Sequence, residues 1–236
     1  MLHLILLLIL LFLFLPVLIL MLFGVVMLGS FGVAMTIPRQ LWELAKDARV
    51  RRNHALEHAA LNIIEERYGA TRITGEPSRE GFILRNVDLG PDEVMNAAVE
   101  GWRRLSRGEA DLAVHDRCGT SMSVPLLLLA TTFLTLFAFR VRPNPLGVIG
   151  TFVLVALLAK PLGKFVQRRI TTDAAVDRVS IDQVVPMPNA FMVFGTLAAG
   201  RPTGLAYLVR THHASQTVKV QVHRVGETPG PRVFGR

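Results

Sequence analysis

The stretch His54-Ala-Leu-Glu57-His58 reads H-x-x-E-H and lies in a run whose pattern predicts a helix over residues 40–68. Residues four apart on a helix stand one above the other on one face. His54 and His58 therefore present two imidazoles to one point, with Glu57 directly before the second. Two such His side chains can bind one metal ion, and a neighbouring carboxylate can take a proton from a water activated there. Taken alone the motif does not establish a site, because His and Glu are common on solvated helix faces. A second cluster strengthens it: His115-Asp-Arg-Cys118-Gly-Thr-Ser121 sets the one cysteine of the chain three residues after another His. His54, His58, His115 and Cys118 are all suitable ligands for Zn2+, and Glu57 is the candidate general base.

The elements that must position these residues belong to an apolar chain. Of 236 residues 51% are hydrophobic, and the mean hydropathy is +0.42. The apolar residues fall in blocks, which points to a membrane protein whose first partner is the lipid bilayer. The formal net charge is +8. In such a chain this excess fits anchoring charges beside lipid headgroups better than nucleic-acid binding. A single cysteine excludes an internal disulfide and suits a reducing compartment, where a thiolate ligand persists.

Residues 4–37 carry no charged side chain. About 20 apolar helical residues cross a bilayer, so this block reads as one long tilted or kinked helix, with a re-entrant hairpin as the alternative. A cleaved signal peptide fits less well: the apolar run is too long and no Lys or Arg precedes it. Residues 38–52 are basic and amphipathic, the start of a juxtamembrane helix. In the helix that follows, Leu56, Ala59, Ala60, Ile63 and Ile64 recur near the 3.6-residue period. Glu65 is read as a solvated helix-end residue, with a further metal ligand or a partner supporting the ligands as the alternative. Gly69 stops the helix.

Residues 71–87 read as strand, turn and strand. A helix with Pro91, Asp92 and Glu93 in its first turn runs to about Arg107, with Val94, Ala97, Ala98 and Trp102 as its buried stripe. Residues 110–115 read as a short strand that carries His115 at its tip. Thr120, Ser121 and Ser123 are candidate N-caps for a second apolar block, residues 124–139, which would place Cys118 near a helix N-terminus. A polar turn over residues 140–145 leads to a third block, residues 146–159. The two blocks together make a transmembrane helical hairpin. In the remainder, residues 217–225 alternate as a strand does and residues 176–185 partly do, residues 190–199 are apolar but too short to span, and residues 226–236 form a loose end. His212, His213 and His223 lack ligand spacing and read as surface residues.

The expected fold is a membrane α-helical protein with a small α+β (α-β-β-α-β) cytoplasmic domain and a short β-containing C-terminal tail. Residues 1–37 form the N-terminal membrane segment, 38–122 the α+β domain with the metal site, 123–163 the hairpin and 164–236 a cytoplasmic C-terminal segment. Lys and Arg crowd the membrane ends on the side of the α+β domain, whereas the opposite loop carries only Arg140 and Arg142. By the positive-inside rule the domain and the C-terminus are cytoplasmic, in the cell (inner) membrane.

The pair Asn53-His54-Ala-Leu-Glu57-His58-Ala and His115-Asp-Arg-Cys118-Gly-Thr-Ser121 resembles an uncharacterised bacterial membrane family known only as a domain of unknown function. That resemblance extends over the hairpin and a following Gln167-Arg-Arg-Ile-Thr-Thr172 segment. The two motifs alone are also similar to YqhQ-like proteins, described as predicted metal-dependent enzymes. The resemblance implies a shared metal site carried by His54, Glu57, His58, His115 and Cys118, and implies no substrate. H-x-x-E-H is also the inverzincin order, but no downstream segment matches the distal glutamate region of those peptidases.

Three functions are compatible with these residues. The first is a zinc-dependent hydrolase at the cytoplasmic membrane face, with His54, His58 and either Cys118 or His115 as ligands, Glu57 as base and a peptide or lipid headgroup as substrate. The second is a structural site with all four ligands bound, in an accessory subunit of a membrane assembly, where Glu57 would orient a His. The third is a metal-free interaction module that contacts other membrane subunits, a pigment or haem, or a Cys118–His115 nucleophile pair. No C-x-x-C-H supports covalent haem attachment.

Overall fold

In the computed structural model residues 2–139, 144–187 and 205–214 are described. The apolar N-terminal block forms one uninterrupted helix, α1 (Leu2–Ala45). The predicted helix over residues 40–68 is divided at Lys46–Asp47, and α2 (Ala48–Tyr68) starts afresh. The break comes from Asp47: its backbone is extended, and its carboxylate accepts the Arg49 N–H at 2.9 Å. This is the chemistry of an N-cap, and it frees α2 to leave the α1 axis. Gly69, at φ 81°, ends α2 as expected, its N–H bonded to the Glu65 carbonyl.

β1 (Thr74–Pro77) and β2 (Gly81–Val87) pair antiparallel as the predicted hairpin, and α3 (Pro91–Ser106) follows. Pro91 opens α3, and Glu93 Oε2 accepts the Gly90 N–H at 2.7 Å. The expected strand over residues 110–115 is not formed. Ala110–Ala113 is a single 3₁₀ turn, closed by Leu112 N–H to Glu109 O and Val114 N–H to Asp111 O, each at 3.1 Å. The expected α-β-β-α-β order is therefore α-β-β-α.

The place of the missing strand is taken from the far end of the chain. β3 (Val179–Met187) and β4 (Leu205–His213) complete an antiparallel sheet of order β1-β2-β4-β3. The C-terminal part is thus no appendage but half of the sheet. β4 lies where no strand was predicted. Its Tyr207 and Val209 are fully buried. His213, expected at the surface, is half-buried, with Nε2 3.1 Å from Asn53 Oδ1. The expected strand over 217–225, the apolar stretch 190–199, the loose end 226–236, His223 and most of the polar turn lie outside the described residues.

α2 and α3 cover one face of this sheet. The predicted stripe of α2, Leu56, Ala59, Ala60, Ile63 and Ile64, is buried against Val94, Ala97 and Ala98 of α3 and Phe82, Leu84 and Val87 of β2. Trp102 is only partly buried, its Nε1–H donating to Val176 O at 3.3 Å, while Gly101 takes the position nearest α2. Beyond this core stand α4 (Gly119–Ala138) and α5 (Pro145–Val166), the predicted hairpin, packed against each other, with α4 also against α1. Met21–Ala45, Gly119–Ala138 and Leu146–Thr171 are long and apolar enough to cross a membrane. Their large side chains, such as Leu28, Phe137 and Leu157, are mostly exposed, as lipid-facing residues would be.

Candidate metal centre

α2 is buried on two sides. One side enters the core; the other carries His54, Glu57 and His58, each at most 3% exposed. Cys118 caps the N-terminus of α4, its sulfur accepting the Thr120 N–H at 3.4 Å. Cap geometry directs the sulfur back over the start of the helix and toward α2. The donor atoms of His54, His58 and Cys118 all lie within 4.8 Å of one another.

The protonation of the two imidazoles follows from their partners. His54 Nδ1 lies 2.9 Å from the Thr171 carbonyl and His58 Nδ1 2.8 Å from the Ala113 carbonyl. A carbonyl oxygen only accepts, so each Nδ1 carries the proton and each Nε2 is left with a lone pair. Burial holds His54 down to about 4 and His58 well below the usual histidine range, so both rings are neutral. His58 is pushed further by the neighbouring His54. Burial also raises the Cys118 thiol, and its S–H points to His54 Nε2 at 3.5 Å.

His115, the fourth predicted ligand, is turned elsewhere. Its ring is 6.0 Å from that of His58, but its Nε2 lies 3.3 Å from Glu65 Oε1. Glu65 also pairs with Arg117 and its side chain is 23% exposed, so it is not freely solvated at the helix end, and it stands with His115 and Arg117 rather than among the three donors.

Glu57 lies beneath β1. A Cβ on Gly75 would come within 2.0 Å of Glu57 Oε1, so a side chain there would have to displace the Glu57 carboxyl group from its present position. Burial, then the nearby charge of Glu76, raises the Glu57 carboxyl well above the ordinary glutamate range. Among the described residues, neither Glu57 Oε2 nor His58 Nε2 has a hydrogen-bond partner, although both are buried. Leaving such atoms unpaired costs about 1–3 kcal/mol each. A cation held by the lone pairs and facing the carboxylate would remove that cost.

The donor set fits zinc. Two neutral imidazoles and a thiol that can ionise are ordinary zinc ligands, and tetrahedral bonds of about 2.0–2.3 Å place such donors roughly 3.5 Å apart. The His54–Cys118 separation of 3.5 Å has this value.

Two supporting residues were not singled out as part of the site by spacing. Gln167 is fully buried in a π-helical turn, Gln167–Thr171, at the end of α5. Its Oε1 accepts the His115 N–H at 2.9 Å, and its Nε2–H donates to His115 O at 3.1 Å and to Ser121 Oγ. The same turn presents the Thr171 carbonyl to His54. π turns of this kind recur at functional sites. The family-like segment Gln167–Thr172 was the one sequence signal that pointed here. Asn53, beside His54, ties α2 to the sheet: it donates to Ser78 O at 2.8 Å and accepts from Thr211 Oγ1 at 2.8 Å.

A cleft of about 890 Å³ opens onto the cluster. Its walls are the end of α1, the strand β1 and the first turn of α4.

Fold and site together define a class: a protein of apolar, membrane-length helices carrying a small antiparallel α+β unit, with a buried His/His/Cys group able to hold a metal ion. The chain belongs to the family described as a domain of unknown function, DUF6391, whose model matches residues 49–184. That match runs from the start of α2 into β3 and contains every residue of the cluster. An uncharacterised protein of Picosynechococcus sp. (strain ATCC 27264 / PCC 7002 / PR-6) is 32% identical over 136 residues, covering 52% of this chain. The match spans 65% of that relative's length. No solved structure matches the chain significantly.

Proposed function

We propose that this protein is a membrane-embedded, zinc-dependent hydrolase working at the cytoplasmic membrane face. The observation that carries the reading is the pair of unprotonated Nε2 atoms, fixed by the Thr171 and Ala113 carbonyls, beside the Cys118 sulfur and an unpartnered buried Glu57 carboxyl. His54, His58 and Cys118 would hold the ion. Three protein ligands leave a fourth position, and the cleft gives that position an approach. When bound, zinc supplies Lewis acidity to the attacked group and to water. Glu57, ionised once a cation faces it, would accept a proton from the attacking water and deliver it to the leaving group. Burial keeps competing water away from this carboxyl. Kinship with the YqhQ-like proteins belongs to the same proposal and rests on the two motifs.

Membrane insertion and orientation are part of the proposal. They are supported by the three apolar helices and by the clustering of Lys and Arg at the ends nearest the α+β unit.

A second reading, a closed structural site, is favoured by one observation: the His115 ring stands 6.0 Å from His58. It requires His115 to leave Glu65.

Metal content of the detergent-purified protein tests both readings, and the Glu57→Gln variant separates them. About one zinc per chain is expected, lost in the His54→Ala/His58→Ala variant. Glu57→Gln should retain the zinc and lose hydrolysis by at least about a hundredfold. Zinc-free preparations made under reducing, chelator-free conditions would sink both readings. Unfolding on zinc removal, with Glu57→Gln as active as the parent, would favour the structural site.

A further inference from the structure

The cleft has two unlike walls. On one side Ile37, Leu41 and Leu44 of α1 form an apolar stripe at i, i+4 and i+7. On the other side it is lined by the consecutive residues 73–77. Successive side chains of a strand point to opposite faces. Five consecutive residues can therefore line one cleft only by presenting the strand's edge, its backbone, to it.

Among the described residues no strand pairs with that edge, because β1 is terminal in the order β1-β2-β4-β3. The hydrogen-bond phase of the hairpin tells which backbone groups face outward. Ser78 N–H bonds to Gly81 O at 2.8 Å, and Pro77 is opposite Phe82. Pro77 has no N–H, so the 77–82 pair is of the non-bonded kind. Alternation then makes Glu76 and Thr74 bond toward β2, while Gly75 and Pro77 direct their backbone groups away from it. Gly75 offers both an N–H and a C=O to the cleft, and Pro77 a C=O only. Gly75 is also the residue seated on the Glu57 carboxyl.

We propose that the cleft takes an extended apolar peptide, which adds as a strand to β1, bonds at Gly75 and lays alternate side chains on the α1 stripe. This names the substrate class of the hydrolase site and rests on that reading. An acyl chain would match the stripe but cannot supply the N–H and C=O that Gly75 requires; a peptide matches both walls. The reaction is amide hydrolysis. The water oxygen bonds to the carbonyl carbon, the C–N bond breaks, and one water proton passes through Glu57 to the leaving nitrogen. Water is the sole co-reactant. Pro77 ends the ladder on one side, so pairing centres on Gly75, beside the metal cluster.

The test uses the full chain in detergent micelles, zinc-loaded, as the Glu57→Gln variant so that bound peptide is not consumed. The probe is a pool of capped heptapeptides, apolar at the five central positions between terminal lysines. Two further pools carry N-methyl groups, one at even and one at odd central positions. Strand addition uses the N–H groups of alternate residues only. One methylated pool should therefore bind at least about tenfold more weakly than the parent and the other like the parent, with hydrogen exchange slowed over residues 73–77 in the bound state. Equal binding of all three pools, no binding of the parent pool, or displacement by a short-chain phosphatidylglycerol without any slowing over residues 73–77 would each overturn the proposal. Binding needs no turnover. An alternation-sensitive pool that the parent protein never cleaves would sink the hydrolase and leave the peptide groove standing.

Discussion

His54 and His58 owe their ligand form to two main-chain carbonyls. Each carbonyl takes the proton of Nδ1, and burial keeps the rings neutral. Neutrality has a consequence for stability in the chelated protein. In the unfolded chain a histidine titrates near 6.5; in the fold His54 titrates at about 4. Between these values the unfolded chain binds a proton that the fold refuses, so acid favours unfolding. The contribution is absent above pH 6.5, grows as pH falls and levels off near pH 4. At about 1.4 kcal/mol per pH unit, His54 alone accounts for on the order of 3 kcal/mol. The thermal midpoint of the chelated protein should fall steeply between pH 6.5 and 4 in detergent, and the His54→Ala variant should lose much of that slope. A flat profile would contradict the neutral-imidazole assignment. Gln167 acts on the same cluster from behind. Gln167→Leu removes the partners of the buried His115 N–H and C=O and of Ser121. A loss of roughly 2–3 kcal/mol is expected from thermal unfolding, with weaker zinc retention because the His115–Cys118 turn is no longer held.

At the scale of elements, α2 is the member on which both core and site depend. It presents the His54 side to the cleft and the Leu56, Ala60 and Ile64 side to the sheet, so any shift along its axis would disturb both. Its contact with α3 is close. A Cβ on Gly101 would meet the Ala59 carbonyl carbon and Cβ, each at 2.9 Å. Gly101→Leu should therefore force the helices apart and cost about 1–3 kcal/mol. Because Ala59 follows His58, zinc affinity should fall with stability, which titration with a competing chelator would report. Unchanged affinity in the destabilised variant would show that the site is insulated from this interface. The division of α1 from α2 is equally local in origin. Asp47 caps α2 and its carboxylate also pairs with Arg79 at 2.6 Å, which ties the start of the site helix to the β1–β2 turn.

For the whole molecule, three helices among the described residues are long and apolar enough to cross a membrane. The 20 residues of α4 rise about 30 Å, close to the thickness of a bilayer core. With α1 and α5 beside it, the metal cluster would stand at the membrane–water boundary, since Cys118 caps α4 itself. The proposed orientation makes a direct prediction. A cysteine introduced at Asn144, between α4 and α5, should react with a membrane-impermeant maleimide added outside intact cells. A cysteine at the exposed Arg67 of α2 should react only after lysis. The reverse pattern would invert the topology, and labelling of both from one side would mean that the hairpin does not cross.

Much of this protein was determined by local sequence. The long apolar helices were legible because apolar runs of that length have few other folds. The H-x-x-E-H face, the Gly69 stop and the buried stripe of α2 followed from helical periodicity, a property of neighbours within two turns. Cysteine and histidine were visible as candidate ligands for the same reason. What lay beyond local reading was everything decided by distant partners. His54 meets a carbonyl 117 residues away and His58 one 55 residues away. The first depends on how the α4–α5 hairpin returns to α2, the second on the 3₁₀ turn that follows α3. β4 escaped because its pattern shows no clean alternation, and it becomes a strand by pairing on both sides, with β2 and with β3. Residues 110–115 were expected as a strand, but residues 110–113 close a 3₁₀ turn, and the place beside β2 is taken by β4. Three donors converge while His115 turns to Glu65, because a side chain's direction is set by the packing around it and not by its place in a motif.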